Sequence, residues 1–159
     1  NFPEASYIEG TGIDQHIARV ENGNVYSYVS DPLGTVRSIV DGSTQPVNSY
    51  TYEAYGETRS KTEGVDNPYL FTGRRLDGGT GEYYYRARYY QAGLGRFSAV
   101  DPLAPGEMIF GYAGGDPLLY TDPYGDKIKI AEDEPGLYNA AVEQILLTPT
   151  CRYRTMTIQ

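Results

Sequence analysis

Two aspartates carry the spacing and the neighbours that suit shared chemistry: Asp101 and Asp122, each followed by a proline, 122 − 101 = 21 positions apart. Two carboxylates brought into one site cannot both ionise cheaply. One then keeps its proton and serves as an acid, while the other activates water. The same dipeptide has a plainer use. Asp-Pro occurs at Asp31, Asp101, Asp116 and Asp122, and an aspartate that caps a turn, followed by a proline with φ already set, is what a type I turn favours. Both uses stay open at this point.

Other chemistries are poorly supplied. His16 is the single histidine and Cys151 the single cysteine, which leaves no histidine-rich zinc site, no Cys-x-x-Cys pair and no internal disulfide. No metal and no cofactor is expected. His16 reads as a strand side chain with a local hydrogen bond, since it lacks metal partners. Cys151 has no base near it in sequence and reads as an inert thiol. The net charge of −8 argues against nucleic acid, which requires clustered cations. Arg86 and Arg88 are instead expected to pair with acids or stack on tyrosine. No apolar run is long enough to span a bilayer. The chain opens at Asn1 without a charged and apolar leader, so the expectation is a fragment or a processed product.

The elements that position the aspartates are strands. The 17 tyrosines, 19 glycines and 10 prolines of the 159 residues suit half-buried sheet faces joined by many turns. Residues 82–90 alternate with period two, predicting one strand with Tyr83, Tyr85, Ala87 and Tyr89 on one face and Glu82, Tyr84, Arg86, Arg88 and Tyr90 on the other. It ends at the turn 92–95, and Arg96-Phe97 begins a return segment. Upstream, strands are predicted at 6–9, 16–20, 25–29 and 35–40, with turns at Gly10-Thr11-Gly12, Asn22-Gly23, Asp31-Pro32-Leu33-Gly34 and Asp41-Gly42. Tyr26-Ser27-Tyr28 leading to Gly34 is echoed by Tyr50-Thr51-Tyr52 leading to Gly56, at offsets of 50 − 26 = 24 and 56 − 34 = 22 residues. That is one hairpin per repeat.

Residues 57–67, polar and aperiodic, read as an exposed loop. A turn at 104–106, a short strand at 108–112 and another between Asp116-Pro117 and Asp122-Pro123 follow. After Gly125 the composition changes. A strand at 127–131 precedes a helix from about residue 132 to 147 with Leu137, Ala140, Ala141 and Ile145 on one face, stopped by Pro149. The fold class is all-β, an antiparallel hairpin sheet over 1–125, with a C-terminal tail of short strand and helix over 126–159. The tail is expected to dock on the sheet or to begin a passenger segment.

Several words of this sequence, in order, resemble the Rhs-associated core of tyrosine–aspartate (YD) repeat proteins. They are Leu70-Phe71-Thr72-Gly73-Arg74, Gly81-Glu82-Tyr83-Tyr84-Tyr85-Arg86-Ala87-Arg88-Tyr89-Tyr90, Gly95-Arg96-Phe97 with Asp101-Pro102, Gly111-Tyr112-Ala113-Gly114-Gly115-Asp116-Pro117, and the closing Asp122-Pro123-Tyr124-Gly125. Fainter likeness reaches back through Asp31–Arg37 and Tyr50–Glu57 to Gly12-Ile13-Asp14 and about Tyr7.

The resemblance implies the closing segment of a secreted β-sheet shell that wraps a C-terminal toxic segment. It also implies aspartyl self-cleavage just after the closing motif, with the cut after residue 126 or near it and Gly125 and Asp126 as the cleavage residues. Asp101 and Asp122 would be the catalytic pair, with Arg96 a structural or charge-tuning neighbour. The sequence departs from the family pattern at Leu103-Ala104-Pro105, where a glycine is usual two places after Asp101-Pro102, and at Asp126, where leucine is favoured. The second functional reading is an extracellular or cell-surface subunit that polymerises through open sheet edges into a filament. Partners are accordingly other shell segments or copies of the chain itself.

Overall fold

The computed structural model describes residues 5–103, 109–126 and 129–130. Six strands form one antiparallel meander in chain order: β1 (Ser6–Glu9), β2 (His16–Glu21), β3 (Asn24–Ser30), β4 (Val36–Val40), β5 (Pro46–Tyr52) and β6 (Thr58–Glu63). The Asn22-Gly23 turn has φ of +51° and +77°, the left-handed pair that a two-residue hairpin requires. Three further turns share one geometry. The amides of Asp31, Asp41 and Glu53 donate to the carbonyl four residues on, and each residue's carbonyl accepts from the amide three residues on. The residues at that third place, Gly34, Thr44 and Gly56, all have positive φ. These are type I turns closed by a left-handed residue, and they give the sequence repeat its structural basis.

The expected loop over 57–67 is corrected in part: β6 is a strand, paired with β5 through Ser49↔Thr62 and Thr51↔Ser60. Its pairing comes from backbone groups, while its side chains are almost all exposed. A strand on a sheet border with little covering it shows no apolar alternation. Arg59, Lys61 and Glu63 give that border the charges that discourage further pairing.

A second antiparallel sheet, in the order β10-β9-β8-β7, comprises β7 (Arg75–Leu76), β8 (Tyr83–Tyr85), β9 (Arg88–Gln91) and β10 (Arg96–Phe97). The single strand expected over 82–90 is two strands folded on themselves at Arg86-Ala87, with Tyr83↔Tyr90, Tyr84↔Tyr89 and Tyr85↔Arg88 in register. The two-residue turn reverses the chain and resets the alternation. Tyr83, Tyr85, Arg88 and Tyr90 are buried, and Tyr84 and Tyr89 are exposed.

The inward residues build an aromatic core with Phe71, Phe97 and Tyr112, joined by Val36, Ile39 and Tyr50 of the large sheet. Ring centroids lie 4.4 Å apart for Tyr90–Tyr112 and 5.8 Å for the edge-on Tyr85–Phe97 pair, spacings that favour aromatic contact. Tyrosine serves in this core because its hydroxyls find partners. Tyr85 Oη meets Thr72 Oγ1 at 2.6 Å, and Tyr90 Oη donates to the Tyr55 carbonyl at 2.7 Å.

The chain then passes a 3-10 turn at Ala113–Gly115 into β11 (Tyr120–Thr121), which pairs with β12 (Lys129–Ile130). Of the strand expected at 108–112, the described part is a turn at 109–110 and one bridge from Gly111 to Arg96. The turn at 104–106, the helix at 132–147 and Cys151 lie outside the described residues. Among the described residues no helix is long and apolar enough to cross a membrane.

Candidate functional site

The closing motif forms a tight turn laid across the tip of the β8–β9 hairpin. The Gly125 amide donates to the Asp122 carbonyl at 3.1 Å, with Gly125 at φ +71°. Three successive carbonyls of this strap are taken by three successive residues of the hairpin tip. The Arg86 side chain (Nη1) donates to the Pro123 carbonyl, the Ala87 amide to Tyr124 at 3.1 Å, and Arg88 Nε to Gly125. The strap is thereby held residue by residue against one turn.

Arg88 organises the rest. Its side chain is 1% exposed, and its guanidinium carbon sits 3.7 Å from the centre of the Phe97 ring. Nη2 lies 3.0 Å from Asp101 Oδ2 and 3.4 Å from Asp122 Oδ2, both carboxylates being buried. Nη1 donates to the Ile109 carbonyl at 3.3 Å. Burying two carboxylates is costly unless a cation and hydrogen bonds serve them, and this fork provides both.

Each aspartate also keeps the turn role that its Asp-Pro context suggests. Asp101 Oδ1 accepts from the Leu103 amide at 2.8 Å, and Asp122 Oδ1 from the Asp126 amide at 3.0 Å. Each aspartate thus divides its oxygens: Oδ1 caps a turn, and Oδ2 faces the guanidinium. Asp31 is a turn residue, its Oδ1 accepting from Leu33 and Thr35. Asp116 closes the turn before β11 through its carbonyl, which accepts from Leu119 and Tyr120.

Arg96 does not take the place expected of it. It is exposed on β10, where the inward position belongs to Phe97, and it pairs through its backbone with Gln91 and Gly111. The arginine at the aspartates is Arg88. A continuous alternation put Arg88 on the face opposite Tyr85; the turn at Arg86-Ala87 puts the two on one face. Only the position of that turn would have exposed this, and Arg-Ala carries no turn signature.

Gly125 and Asp126 meet at the site. Asp126 is half-buried, with its Oδ1 buried and without a hydrogen-bond partner among the described residues. Nearby, burial pushes the Tyr112 hydroxyl up to about 12, with the Asp122 charge acting in the same direction. His16 is structural, as its sequence context suggests: Nδ1 faces Glu9 at 2.7 Å, Nε2 faces the Gly73 carbonyl at 2.8 Å, and the ring stacks on Tyr69 at 3.9 Å.

No family model matches the chain. Among curated proteins, it is 33% identical over 129 residues to the tRNA3(Ser)-specific nuclease WapA of Bacillus spizizenii, a match covering 76% of this chain and 6% of WapA. It is 36% identical over 107 residues to toxin subunit YenC1 of Yersinia entomophaga, covering 63% of this chain and 11% of YenC1.

Among solved structures, TcdB2-TccC3-Cdc42 superposes with a TM-score of 0.69 at 22% identity, over 77% of this chain and 7% of that one. The Tc holotoxin pore of Photorhabdus luminescens, solved with an aspartate of TccC3 replaced by alanine, gives 0.65 at 21% identity, over 86% and 7%. The chain thus spans 11% or less of each of these proteins. On these sequence matches, with the fold in agreement, the chain belongs among the Rhs/YD-repeat proteins, related to WapA nucleases and to the C subunits of toxin complexes.

Proposed function

We propose that this chain is the closing segment of a secreted Rhs-type β-shell and that it cuts its own backbone between Gly125 and Asp126. The supporting observation is that both ends of that peptide bond are already in the grip of the carboxylate site. Arg88 Nε donates to the Gly125 carbonyl oxygen, and the Asp126 nitrogen lies 3.0 Å from Asp122 Oδ1.

In the proposed reaction, water adds to the Gly125 carbonyl carbon as Asp101, acting as base, takes its proton. The negative charge that develops on the carbonyl oxygen is met by the Arg88 guanidinium, a fixed donor in a site from which water is largely excluded. Asp122, in its protonated form, passes a proton to the Asp126 nitrogen as the C–N bond breaks. The products are a Gly125 carboxylate and a free Asp126 amine. The shell would then retain the released segment through pairing such as β11 with β12.

Intact mass after incubation from mildly acidic to neutral pH tests the reading. It requires the 159-residue chain to give pieces of residues 1–125 and 126–159, and the Asp101→Asn chain to stay whole. An unchanged mass across the range would remove self-processing and leave the structural role alone.

A second reading, polymerisation with copies of itself, draws on the β1 border. It has no partner strand among the described residues, and Ile8 is 48% exposed on it. Unpaired strand borders of this kind invite another strand. Light scattering showing only monomers would remove it.

A further inference from the structure

We infer that Asp14, in the turn between β1 and β2, is a positioning residue for the strap at Asp122–Asp126, acting through the Arg86 side chain. Asp14 and Arg86 are 72 positions apart. The Asp14 carboxylate accepts from Arg86 Nη2 at 2.8 Å and from Arg86 Nη1 at 3.2 Å, while Arg74 Nη1 donates to it at 2.6 Å. The same Arg86 Nη1 donates to the Pro123 carbonyl, and the guanidinium lies 5.0 Å from the centre of the Tyr124 ring. One carboxylate thus aims a guanidinium at the first of the three carbonyls that fix the strap. A bidentate carboxylate–arginine pair fixes the plane of the fork as well as its place.

Two further observations support a link to the strap beyond a simple surface ion pair. Arg86 has φ +61°, a left-handed conformation that glycine adopts freely and arginine adopts only with strain. An arginine at the hairpin tip is accommodated because its side chain bridges Asp14 to Pro123. Asp14 is itself held in place: it has φ +55°, and its carbonyl packs so closely on Gly73 that a Cβ there would come within 2.5 Å of it. His16, two residues on, reaches the Gly73 carbonyl. The β1–β2 hairpin is thereby docked on the segment that precedes β7, and Asp14 extends that docking to the strap. The strap is fully clamped only once the first hairpin of the sheet is in place. Where the strap is a self-processing site, the reading proposed above, this makes cleavage conditional on completed docking of the sheet.

Hydrogen exchange on the full chain tests the clamp independently of any cleavage. The reporters are the Ala87 amide, bonded to the Tyr124 carbonyl, and the Gly125 amide, bonded to the Asp122 carbonyl, both of which persist whether or not the chain is cut. The variants are Asp14→Asn, Asp14→Glu, Arg86→Gly and the double variant Asp14→Asn/Arg86→Gly. Asp14→Asn is expected to speed exchange of the strap by about tenfold while leaving β3–β5 unchanged, as for a local opening. Asp14→Glu should restore most of the protection. Arg86→Gly, which relieves the backbone strain, should speed exchange as much as Asp14→Asn, with no addition in the double variant.

Strap exchange unaltered in Asp14→Asn would overturn the inference. So would additive effects in the double variant, or loosening confined to β1 and β2. If the unaltered chain cuts itself, Asp14→Asn should slow the cut in step with the exchange. If it does not cut, the processing reading falls and the exchange measurements still decide the clamp.

Discussion

Gly125 packs against Tyr85 so closely that a Cβ added to it would stand 2.6 Å from the Tyr85 carbonyl oxygen. With φ at +71°, the position excludes a side chain on both steric and conformational grounds. Gly125→Ala is therefore expected to cost about 1–3 kcal/mol and to lift the strap from the hairpin tip, seen as loss of amide protection at 125 and 126. Gly42→Ala is the matching control. Among the described residues no atom beyond its two chain neighbours lies within 4 Å of its added Cβ, and its φ is not in the left-handed region, so urea denaturation should find it near neutral.

The tyrosine core sets an alkaline limit. Burial pushes the hydroxyls of Tyr50, Tyr83 and Tyr112 up to about 12 from an ordinary 10.0, and raises Tyr85 as well. A group that binds its proton more tightly when folded contributes stability that is complete below the unfolded value. That contribution is lost as pH rises toward the folded one. Stability is thus expected to decline between about pH 10 and 12, with phenolate absorbance from the buried rings appearing together with loss of the strand signal in circular dichroism. Complete tyrosine ionisation in a chain still folded would contradict this.

Asn48 is the polar keystone of the large sheet. It is 1% exposed and its side chain makes four hydrogen bonds, donating to Tyr50 Oη at 2.7 Å and the Val65 carbonyl at 2.8 Å, and accepting from Gly64 and Val65 amides at 2.9 and 3.0 Å. Asn48→Leu keeps the branched shape at somewhat larger volume and strands those partners. It should cost about 2–4 kcal/mol and loosen residues 64–67, as read by chemical denaturation and by limited proteolysis.

Much of this was legible in the sequence because its signals are local. Alternation located β1 to β4, Asn22-Gly23 and Asp31–Gly34 marked turns beside them, and the motif words brought Asp101 and Asp122 together. What escaped was non-local or unmarked. The turn at Arg86-Ala87 interrupts an unbroken tyrosine alternation, which by pattern alone puts Arg88 opposite Tyr85, while Arg96 enters only through the family resemblance. The strand β6 is polar on both faces because it borders the sheet, and pattern cannot distinguish that from a loop. Asp14 offered no local sign of its partner 72 positions away.

A double-mutant cycle on Arg88 and Asp101 tests most directly whether one buried guanidinium organises the site. Arg88→Met strands two buried carboxylates and is expected to cost about 3–5 kcal/mol. Adding Asp101→Asn removes one of those charges, so the double variant should be more stable than the sum of the single losses predicts, by at least about 1 kcal/mol. Losses that add to within about 0.5 kcal/mol would show that Arg88 and Asp101 act independently, and the site described here would not exist as a unit.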